Sequence, residues 1–396
     1  MRVLQLCLKP PYPTVDGGTM AMHCVTEGLL EQGCEVKVLS VCSDKHPVRE
    51  LPEDYVAATG FEAVHLDLDV HWLDAGVSLL CGESYNVRRF ESRAFEDKLK
   101  EVLQREHFDV VHVESIYLAP YLPTLRKYSD APVVLRAHNV EHQIWRGMAL
   151  REHRLAKRWY LKKLALALRM YEMEHLPLFD TILCITPDDA QSFRDLCPHL
   201  RRPVQVLPFG VEPPSECPAP TAKVYHLGAM DWMPNVEGVE WLVEKVWPRV
   251  LAEEPTAELH LAGRRMPDTM RAWPRDGVTV EGEVEDTQAF LADKGICVVP
   301  LFSGSGIRVK MIEAMAAGKA VVSTPTGLQG IAATPGREVL TAESAEAFAQ
   351  HLITLIRQPQ LRHQMGSDAQ ALVRQHYDKH RLGEQLVAIY NNLIEH

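Results

Sequence analysis

With 396 residues, the chain is too long for one ordinary hydrophobic core and long enough for two domains. A composition of 46% hydrophobic and 24% charged residues is that of a folded protein and argues against a disordered one. The formal net charge of −11 argues against a general nucleic-acid-binding protein, because such proteins neutralise phosphates with excess Lys and Arg.

Cysteine usage and hydropathy predict a cytoplasmic protein. The nine cysteines include no C-x-x-C pair, and several lie in apolar segments such as VLQLCL and GICVVPL. We expect small buried thiols in a reducing compartment. No apolar segment approaches the roughly 18 residues of a membrane span, and the start MRVLQLCLKPPYP is too brief for a signal peptide.

The first half of the chain alternates predicted strands and helices. Residues 3–8 predict a strand, Gly17 and Gly18 form a loop, residues 19–31 predict a helix, and residues 36–41 predict the next strand. This βαβ order indicates a parallel sheet. Further strands are predicted at residues 110–113, 132–137 and 181–185.

A proline-rich segment, residues 203–223, predicts a linker, and the alternation restarts after it. We expect an α/β protein with two doubly wound, Rossmann-like parallel-sheet domains, residues 1–207 and 208–377, that face each other across a cleft. Ligands of such sheets lie beyond the carboxyl ends of the strands, so the site is expected in that cleft. Residues 378–396 predict an amphipathic helix that can pack back on the first domain.

The segment GSGIRVKMIEAMAAGKAVVSTPTG, residues 304–327, predicts a nucleotide site. Glycines before a helix let the backbone approach an anion, and the free N–H groups there favour negative charge. Arg308 and Lys310 suit a diphosphate, and Glu313 suits the paired hydroxyls of a ribose. The alternative is that both cations are merely solvated residues at a helix start.

The chain resembles the retaining GT-B glycosyltransferases of family 4 along nearly its full length. The motifs are the Gly17-Gly18 loop, RAHNVEH at 136–142, LPFGV at 207–211, LGAMDWMPNVEGVEWL at 227–242, VEGEVED at 280–286 and the Glu313 block. The resemblance implies transfer of a sugar from a nucleotide-diphosphate donor to a hydroxyl acceptor, with retained anomeric configuration. It implies same-face attack, with the leaving phosphate helping to deprotonate the acceptor, and no metal ion.

Two positions depart from the family pattern. Ser305 stands where the first glutamate of the E-x7-E pair is usual, and Glu313 matches the second. The segment LGAMDWMPN lacks the basic pair that many members carry. Arg308 and Lys310 then replace that pair, and the backbone of Gly304, Ser305 and Gly306 assists them.

The resemblance assigns further residues to the donor. His138, at the end of a predicted strand, would approach the donor sugar; the alternative is a purely structural histidine. Gly17 and Gly18 would border the diphosphate and the acceptor; the alternative is a tight turn that needs positive φ. Val284 would neighbour the base. Glu141 lies in the same loop as His138. The alternative for Glu141 is an ordinary carboxylate at a helix start.

No metal site and no cofactor other than the sugar nucleotide substrate are expected. HLDLDVH, residues 65–71, contains a D-x-D, but alternate side chains of a strand stand about 6.8 Å apart, so one ion could not gather them. A half-buried strand with a solvated face is the simpler interpretation.

The segment 151–170 holds seven Lys or Arg and one acidic residue, with Trp159 and three leucines between them. One interpretation is peripheral contact with anionic lipid at the inner membrane face, which would suit a lipid-linked acceptor. The other is a packed helix with a solvated basic face.

Two rival functions use the same fold. A sugar-nucleotide 2-epimerase would turn over without an acceptor, and a non-catalytic sugar-nucleotide-binding protein is suggested by the missing first glutamate. The sequence leaves the donor base, the donor sugar and the acceptor open, whether glycan, lipid-linked or small molecule. Polysaccharide biosynthesis is the expected context.

Overall fold

The computed structural model describes residues 1–69, 85–212, 214, 221–271, 276–303 and 306–395. The chain forms two compact units, Met1–Gly210 with Lys379–His396, and Val211–Asp378. The predicted boundary between 207 and 208 and the observed one both lie inside the proline-rich segment. Each unit is an α/β structure with a parallel sheet, as the sequence predicted.

Seven parallel strands form the sheet of the first unit. They are β1 (Arg2–Cys7), β2 (Glu35–Cys42), β3 (Glu62–His65), β4 (Val110–Val113), β5 (Val133–Ala137), β6 (Thr181–Cys184) and β7 (Val204–Val206). Their order is β3-β2-β1-β4-β5-β6-β7, so the direction of winding reverses between β1 and β4. The central strands are buried and apolar because helices cover both faces of the sheet.

Alternate residues of the central strands enter two separate cores. Leu4 and Leu6 pack into the core on one face of the sheet, and Val3 and Cys7 pack into the core on the other. The helices of this unit are α1 (Gly17–Glu31), α2 (Glu53–Thr59), α3 (Tyr85–Arg88), α4 (Arg93–Arg105), α5 (Leu122–Tyr128), α6 (Glu141–Arg151), α7 (Leu155–His175) and α8 (Pro187–Leu196), with 3-10 turns at Ile116–Tyr121 and Leu176–Leu178.

Six parallel strands form the sheet of the second unit. They are β8 (Val224–Leu227), β9 (Leu259–Ala262), β10 (Val278–Gly282), β11 (Ile296–Val299), β12 (Ala320–Ser323) and β13 (Leu340–Thr341), in the order β10-β9-β8-β11-β12-β13. The winding reverses between β8 and β11. The helices are α9 (Met233–Trp241), α10 (Trp247–Glu253), α11 (Asp268–Arg271), α12 (Thr287–Ala292), α13 (Val309–Ala316), α14 (Pro325–Leu328), α15 (Ala345–Arg357) and α16 (Pro359–His376), and a π-helical segment, Leu242–Val246, joins α9 to α10.

The last helix, α17 (Lys379–Ile394), belongs to the first unit and packs on α1. The two helices touch at glycines: a Cβ on Gly383 would lie 2.5 Å from the Gly28 carbonyl oxygen. This close approach lets Leu382, Leu386 and Tyr390 reach the core of the first unit, where all three are buried.

Two local predictions are wrong. Residues 204–206, inside the predicted linker, form β7, because their backbone pairs in parallel with β6. Of the described residues 65–69 of HLDLDVH, only His65 belongs to a strand, and the Asp67 side chain accepts a hydrogen bond from the Asp69 N–H at 3.0 Å, which is a turn interaction. Residues 70 and 71 of that motif lie outside the described residues.

Candidate active site

The first sheet brings polar residues together where its strand order reverses. Lys9 and Gly18 follow β1. Glu114 follows β4, and His138 follows β5. The carboxyl ends of parallel strands share one edge, which is where ligands of such sheets bind. A cavity of about 160 Å³ at this edge has in its lining Lys9, Gly18, Tyr117, His138, Asn139 and Glu141.

His138 is held by a buried carboxylate. Its Nε2 lies 2.9 Å from Oε2 of Glu114, and Nε2 of Gln5 donates to Oε1 of Glu114 over 2.7 Å. Burial alone would raise the pKa of the Glu114 carboxyl, but its interactions with His112 and His138 hold the pKa well below its usual range. The ionised carboxylate therefore orients the His138 ring through this contact.

The same polar chain continues to the C-terminal helix. Nε2 of His112 lies 3.3 Å from Oε1 of Glu114, and Nδ1 of His112 lies 2.5 Å from the Tyr390 hydroxyl. His112, Glu114 and Tyr390 are all fully buried. Helix α17 thus contributes Tyr390 to the chain of polar contacts that ends at His138.

Gly17 and Gly18 are the first two residues of α1, which Asp16 caps. Neither glycine has positive φ, so the interpretation as a turn that needs positive φ is wrong. Close packing explains Gly18: a Cβ there would lie 3.1 Å from Nζ of Lys9, which forms an ion pair of 2.6 Å with Asp16.

Glu141 begins α6 and lines the same cavity as His138. Its Oε2 accepts a hydrogen bond of 2.7 Å from the Tyr117 hydroxyl, and its backbone N–H donates to Oε1 of Glu172 over 2.8 Å. Burial raises the pKa of the Glu141 carboxyl to about 7, and the Glu172 carboxylate adds to the shift. Glu141 is therefore not an ordinary helix-start carboxylate, whose pKa the helix dipole would lower.

In the second unit, Lys310 of α13 lies at the reversal between β8 and β11. Its Nζ donates to Oδ1 of Asn235 over 2.8 Å and lies 3.5 Å from Nε2 of His226. Gly228, directly after β8, leaves room for this group, because a Cβ there would come within 3.0 Å of the Lys310 Nζ.

The buried surroundings of Lys310 lower the pKa of two groups, His226 and Lys310 itself. His226 is fully buried, and its Nδ1 donates to the Val298 carbonyl over 3.0 Å. Burial and the charge of Lys310 hold the pKa of His226 well below its usual range, so its Nε2 is an acceptor. Burial also lowers the pKa of Lys310 to about 7. An anion beside Lys310 would favour the charged ammonium.

Arg308 precedes α13 and is almost completely buried. Its Nη1 donates to the Gly306 carbonyl over 2.9 Å, and its guanidinium carbon lies 5.5 Å from the centre of the Trp232 ring. Gly306 has φ +78°, a conformation that favours glycine. Burial lowers the pKa of Arg308 to about 10, so Arg308 remains cationic at neutral pH.

The remaining predicted donor residues are placed as follows. Glu313 lies on α13 and is partly buried, and burial raises the pKa of its carboxyl. Val284 follows β10 and is half-buried. Gly304 and Ser305 lie outside the described residues. Arg308 and Lys310 therefore lie together at the start of α13 in the second unit. His138 and Gly18 lie together in the lining of one cavity in the first unit.

Comparison with known proteins decides the family. Residues 15–214 match the sequence model of Glycosyltransferase Family 4, which is half of the 396-residue chain. Residues 221–358 match that of Glycosyl transferases group 1. The chain belongs to glycosyltransferase family 4. This membership makes the protein a glycosyltransferase and confirms the family that the motifs predicted.

Solved structures confirm the GT-B fold of this family 4 protein. Sucrose-phosphate synthase from Thermosynechococcus elongatus is similar with a TM-score of 0.69 and 16% identity, covering 100% of both chains. Anabaena HepE in complex with UDP is similar with a TM-score of 0.65 and 13% identity, covering 99% of this chain and 100% of the other.

A sequence relative is an uncharacterized 44.6 kDa protein in the cps region of Klebsiella pneumoniae. It is 24% identical over 298 residues, which span 72% of the family 4 chain described here and 75% of the relative.

Sequence reasoning missed several residues of the two polar clusters. Glu114 directly follows the apolar strand VVHV, and His226 interrupts the apolar strand VYHL. A polar residue at or near the end of an apolar strand could have identified both as site residues. Asn235 and Tyr117 carried no such signal. Within the described parts of the chain, no group of three or more His, Cys, Asp or Glu is arranged to hold a metal ion, and no helix is long and apolar enough to cross a membrane.

Proposed function

We propose that this protein transfers a sugar from a nucleotide-diphosphate donor to a hydroxyl acceptor. The observation that carries the proposal is the pair of cations at the reversal of the second sheet: Arg308, almost completely buried, and Lys310, held by Asn235 and His226. A helix N-terminus and two cations at such a reversal suit a diphosphate. HepE, a structural neighbour, has been solved with UDP and with UDP-glucose, which supports a sugar-nucleotide donor.

Each donor residue has a separate task in this proposal. Arg308 and Lys310 neutralise the charge that develops on the leaving diphosphate, and the N–H groups at the start of α13 assist them. Preorganised charges of this kind lower the barrier to bond cleavage, and they take the place of a divalent ion. Glu313 accepts hydrogen bonds from the ribose hydroxyls, and Val284 neighbours the base.

His138 is proposed to contact the donor sugar from the first unit. Its ring is fixed by Glu114, and we propose that it hydrogen-bonds a sugar hydroxyl and supports the charge that develops near the anomeric carbon. We propose retention of anomeric configuration, which rests on family membership. The reaction then breaks the bond from the anomeric carbon to phosphate and forms the new glycosidic bond on the same face.

A thermal-shift panel tests the donor site. We expect one of UDP, GDP, ADP, dTDP and CMP to raise the unfolding temperature with or without EDTA, because a ligand that binds only the native state stabilises it. Arg308→Ala and Glu313→Ala are expected to abolish the shift, and Arg337→Ala, which removes an exposed arginine of the same unit, is the control. A panel without any shift, or shifts that require a metal, would contradict the proposal.

The acceptor is proposed to be a glycan or lipid-linked intermediate of polysaccharide biosynthesis. This context rests on the relative in the cps region of Klebsiella pneumoniae. Incubation of the protein with the stabilising sugar nucleotide and no acceptor provides a check. Rapid epimerisation of the sugar under those conditions would favour a 2-epimerase.

We propose further that α7 rests on the anionic cytoplasmic surface of a membrane. Leu161, Leu164 and Leu168 are buried on one side of this helix. On the other side lie exposed apolar residues at helical spacing: Leu155 (80% exposed), Trp159 (54%), Leu166 (52%) and Met170 (55%). Residues 151–170 carry seven Lys or Arg and one acidic residue in a chain of net charge −11. Apolar side chains among cations suit an interface of anionic lipid.

Vesicle co-sedimentation tests this contact. The protein is expected to bind vesicles of phosphatidylcholine with phosphatidylglycerol and not vesicles of phosphatidylcholine alone. Trp159→Ser with Leu166→Ser is expected to release the protein, whereas Leu178→Ser, at another exposed leucine of the first unit, leaves binding unchanged. Equal recovery of the double variant and the wild type on the anionic vesicles would contradict the proposal.

A further inference from the structure

The cavity beside His138 has a carboxyl group in its lining, that of Glu141, which the proposed donor site leaves unused. The cavity volume, about 160 Å³, is close to the roughly 150 Å³ that accommodates a benzene ring. It therefore has room for one ring or one hydroxyl-bearing arm of a ligand, not for a whole sugar nucleotide. His138 and Glu141 are both part of its lining, so a hydroxyl-bearing group inside it would adjoin both residues.

Two elements hold Glu141 in place, one through its carboxyl group and one through its backbone. The Tyr117 hydroxyl, from the 3-10 turn after β4, donates to Oε2 over 2.7 Å. Glu172, from α7, is fully buried, and its carboxylate accepts the Glu141 backbone N–H and lies 2.5 Å from Nδ1 of His142. The Tyr117 contact therefore holds the carboxyl group, and the Glu172 contact holds the start of the helix that carries it.

We propose that Glu141 binds the acceptor hydroxyl and takes up the proton that glycosyl transfer releases. This inference rests on the proposed transferase function. In the balanced step, the acceptor oxygen bonds to the anomeric carbon, the bond from that carbon to phosphate breaks, and its electron pair leaves with the diphosphate. The hydroxyl proton passes to the Glu141 carboxylate and then to solvent.

The charges around Glu141 suit a proton acceptor that works at neutral pH. Lys9 and His138 face the cavity as cationic or protonatable groups, while Tyr117 donates to the carboxyl and Glu172 repels its negative charge. The resulting pKa of about 7 matches the ideal for a general base near neutral pH.

Glu114 cannot take this role although it lies nearby. Its carboxylate is fully buried and is engaged by Gln5, His112 and His138, and its pKa is held well below the usual range. Two carboxyl groups whose environments separate their pKa values are typical of an ionised partner beside a proton-transfer group. Glu114 positions His138, and Glu141 exchanges the proton.

The test combines a titration with turnover. The donor probe is whichever of UDP-glucose, GDP-mannose, ADP-glucose and dTDP-glucose the wild type hydrolyses fastest, with water as the acceptor. We expect turnover to rise as the pH is raised through about 7, because Glu141 loses its proton in that range. This rise is called the acid limb of the pH profile below. Glu141→Gln is expected to lower turnover by about 10²-fold or more and to remove that limb. Tyr117→Phe removes the hydrogen bond that lowers the pKa of Glu141, so the rise in turnover is expected at higher pH in this variant.

Two further measurements separate this role from a structural one. Carbon-13 NMR of glutamate-labelled protein is expected to show one carboxyl that titrates near pH 7 and is missing in Glu141→Gln. Glu174→Gln, at an exposed carboxylate of α7, is the control and is expected to change neither profile. Binding of the free diphosphate is expected to be equal in Glu141→Gln and wild type, because the proposed diphosphate residues are on the other unit.

The outcomes distinguish this role from the proposed function. If the wild type turns over the donor and Glu141→Gln keeps both its rate and its acid limb, Glu141 is not the proton acceptor and the transferase proposal stands. If the labelled carboxyl titrates in the ordinary range of a glutamate near 4, the role is likewise overturned. A wild type that hydrolyses none of the probes and binds no diphosphate overturns both proposals together.

Discussion

Lys310 and Asn235 are joined by a hydrogen bond of 2.8 Å that spans the reversal of strand order in the second sheet. Asn235 lies on the helix after β8, and Lys310 lies on the helix after β11. The bond therefore ties together the two segments that flank the proposed diphosphate site. It also brings Lys310 beside the segment after β8 that lacks the basic pair of the family, which is the position that the proposed substitution requires.

The affinity for the diphosphate is expected to fall as pH rises above about 7. The pKa of Lys310 in the free protein is about 7, so the ammonium loses its proton above that pH, and binding of an anion must restore it. Affinity then falls up to about tenfold per pH unit. Isothermal titration calorimetry of UDP or the preferred diphosphate between pH 7 and 9, in buffers of different ionisation enthalpy, measures both affinity and proton uptake.

Lys310→Arg is the control for this pH dependence, since arginine keeps its charge throughout the range. The variant is expected to bind with an affinity that is flat with pH. A wild type whose affinity is equally flat, with no proton uptake at pH 8, would remove Lys310 from the diphosphate site.

Gly228→Ala is expected to weaken diphosphate binding by about tenfold or more. The added Cβ would lie 2.8 Å from Nδ2 of Asn235 and 3.0 Å from Nζ of Lys310, so one of these groups must move. Overpacking of this kind also destabilises the fold by about 1–3 kcal/mol. Gly147→Ala, where a Cβ meets nothing within 4 Å, is the matched control. Calorimetry and thermal unfolding of both variants separate the two effects, and equal affinity in both would show that Gly228 is not needed for spacing.

Glu114→Gln is expected to lower turnover and to lower the free energy of unfolding at pH 7 by about 3 kcal/mol, as loss of one partner from a buried ion pair does. The folded-state pKa of Glu114 is depressed, so its contribution is complete above the unfolded pKa of about 4.3 and is lost as pH falls toward the folded value. The difference between variant and wild type should therefore shrink in acid. Urea unfolding at pH 7 and at pH 3 measures it, and a constant difference would contradict the assigned ionised state.

Tyr390→Phe is expected to destabilise the first unit by about 1–3 kcal/mol, because Nδ1 of buried His112 loses its partner. Tyr377→Phe, which removes a buried hydroxyl bonded to the Ala332 N–H in the second unit, is the matched control. If α17 supports His138 through this chain, Tyr390→Phe also lowers turnover, whereas Tyr377→Phe leaves it unchanged. Unfolding curves and donor hydrolysis give the two readouts.

Much of the fold could be predicted because buried parallel strands leave short apolar runs between helical segments. The strand at 110–113 was predicted with its observed bounds, and the C-terminal helix, predicted at 378–396, is observed at Lys379–Ile394. Residues 204–206 were missed because three residues between prolines give no periodicity, and their pairing with β6 depends on tertiary structure.

The polar contacts of the candidate site could not be predicted in the same way. His138 and Glu114 are separated by 24 positions, and Lys310 and His226 by 84. Strand order decides which strand ends become neighbours, and no local pattern encodes it. The motifs did indicate that Arg308, Lys310 and Glu313 share one helix start, because that arrangement is local. Their roles toward a donor stay predictions.

The second unit is inserted in the chain of the first, since Lys379–His396 returns to Met1–Gly210 after residue 378. During synthesis, the ribosome therefore delivers the whole second unit before it delivers α17. Domains generally fold as units in the order in which they emerge. The first unit therefore begins to be translated first but receives its last helix, α17, at the end of synthesis. Until α17 is made, nothing from this helix packs on the face of α1 around Gly28. We expect a nascent chain stopped before residue 379 to need chaperone protection of that face.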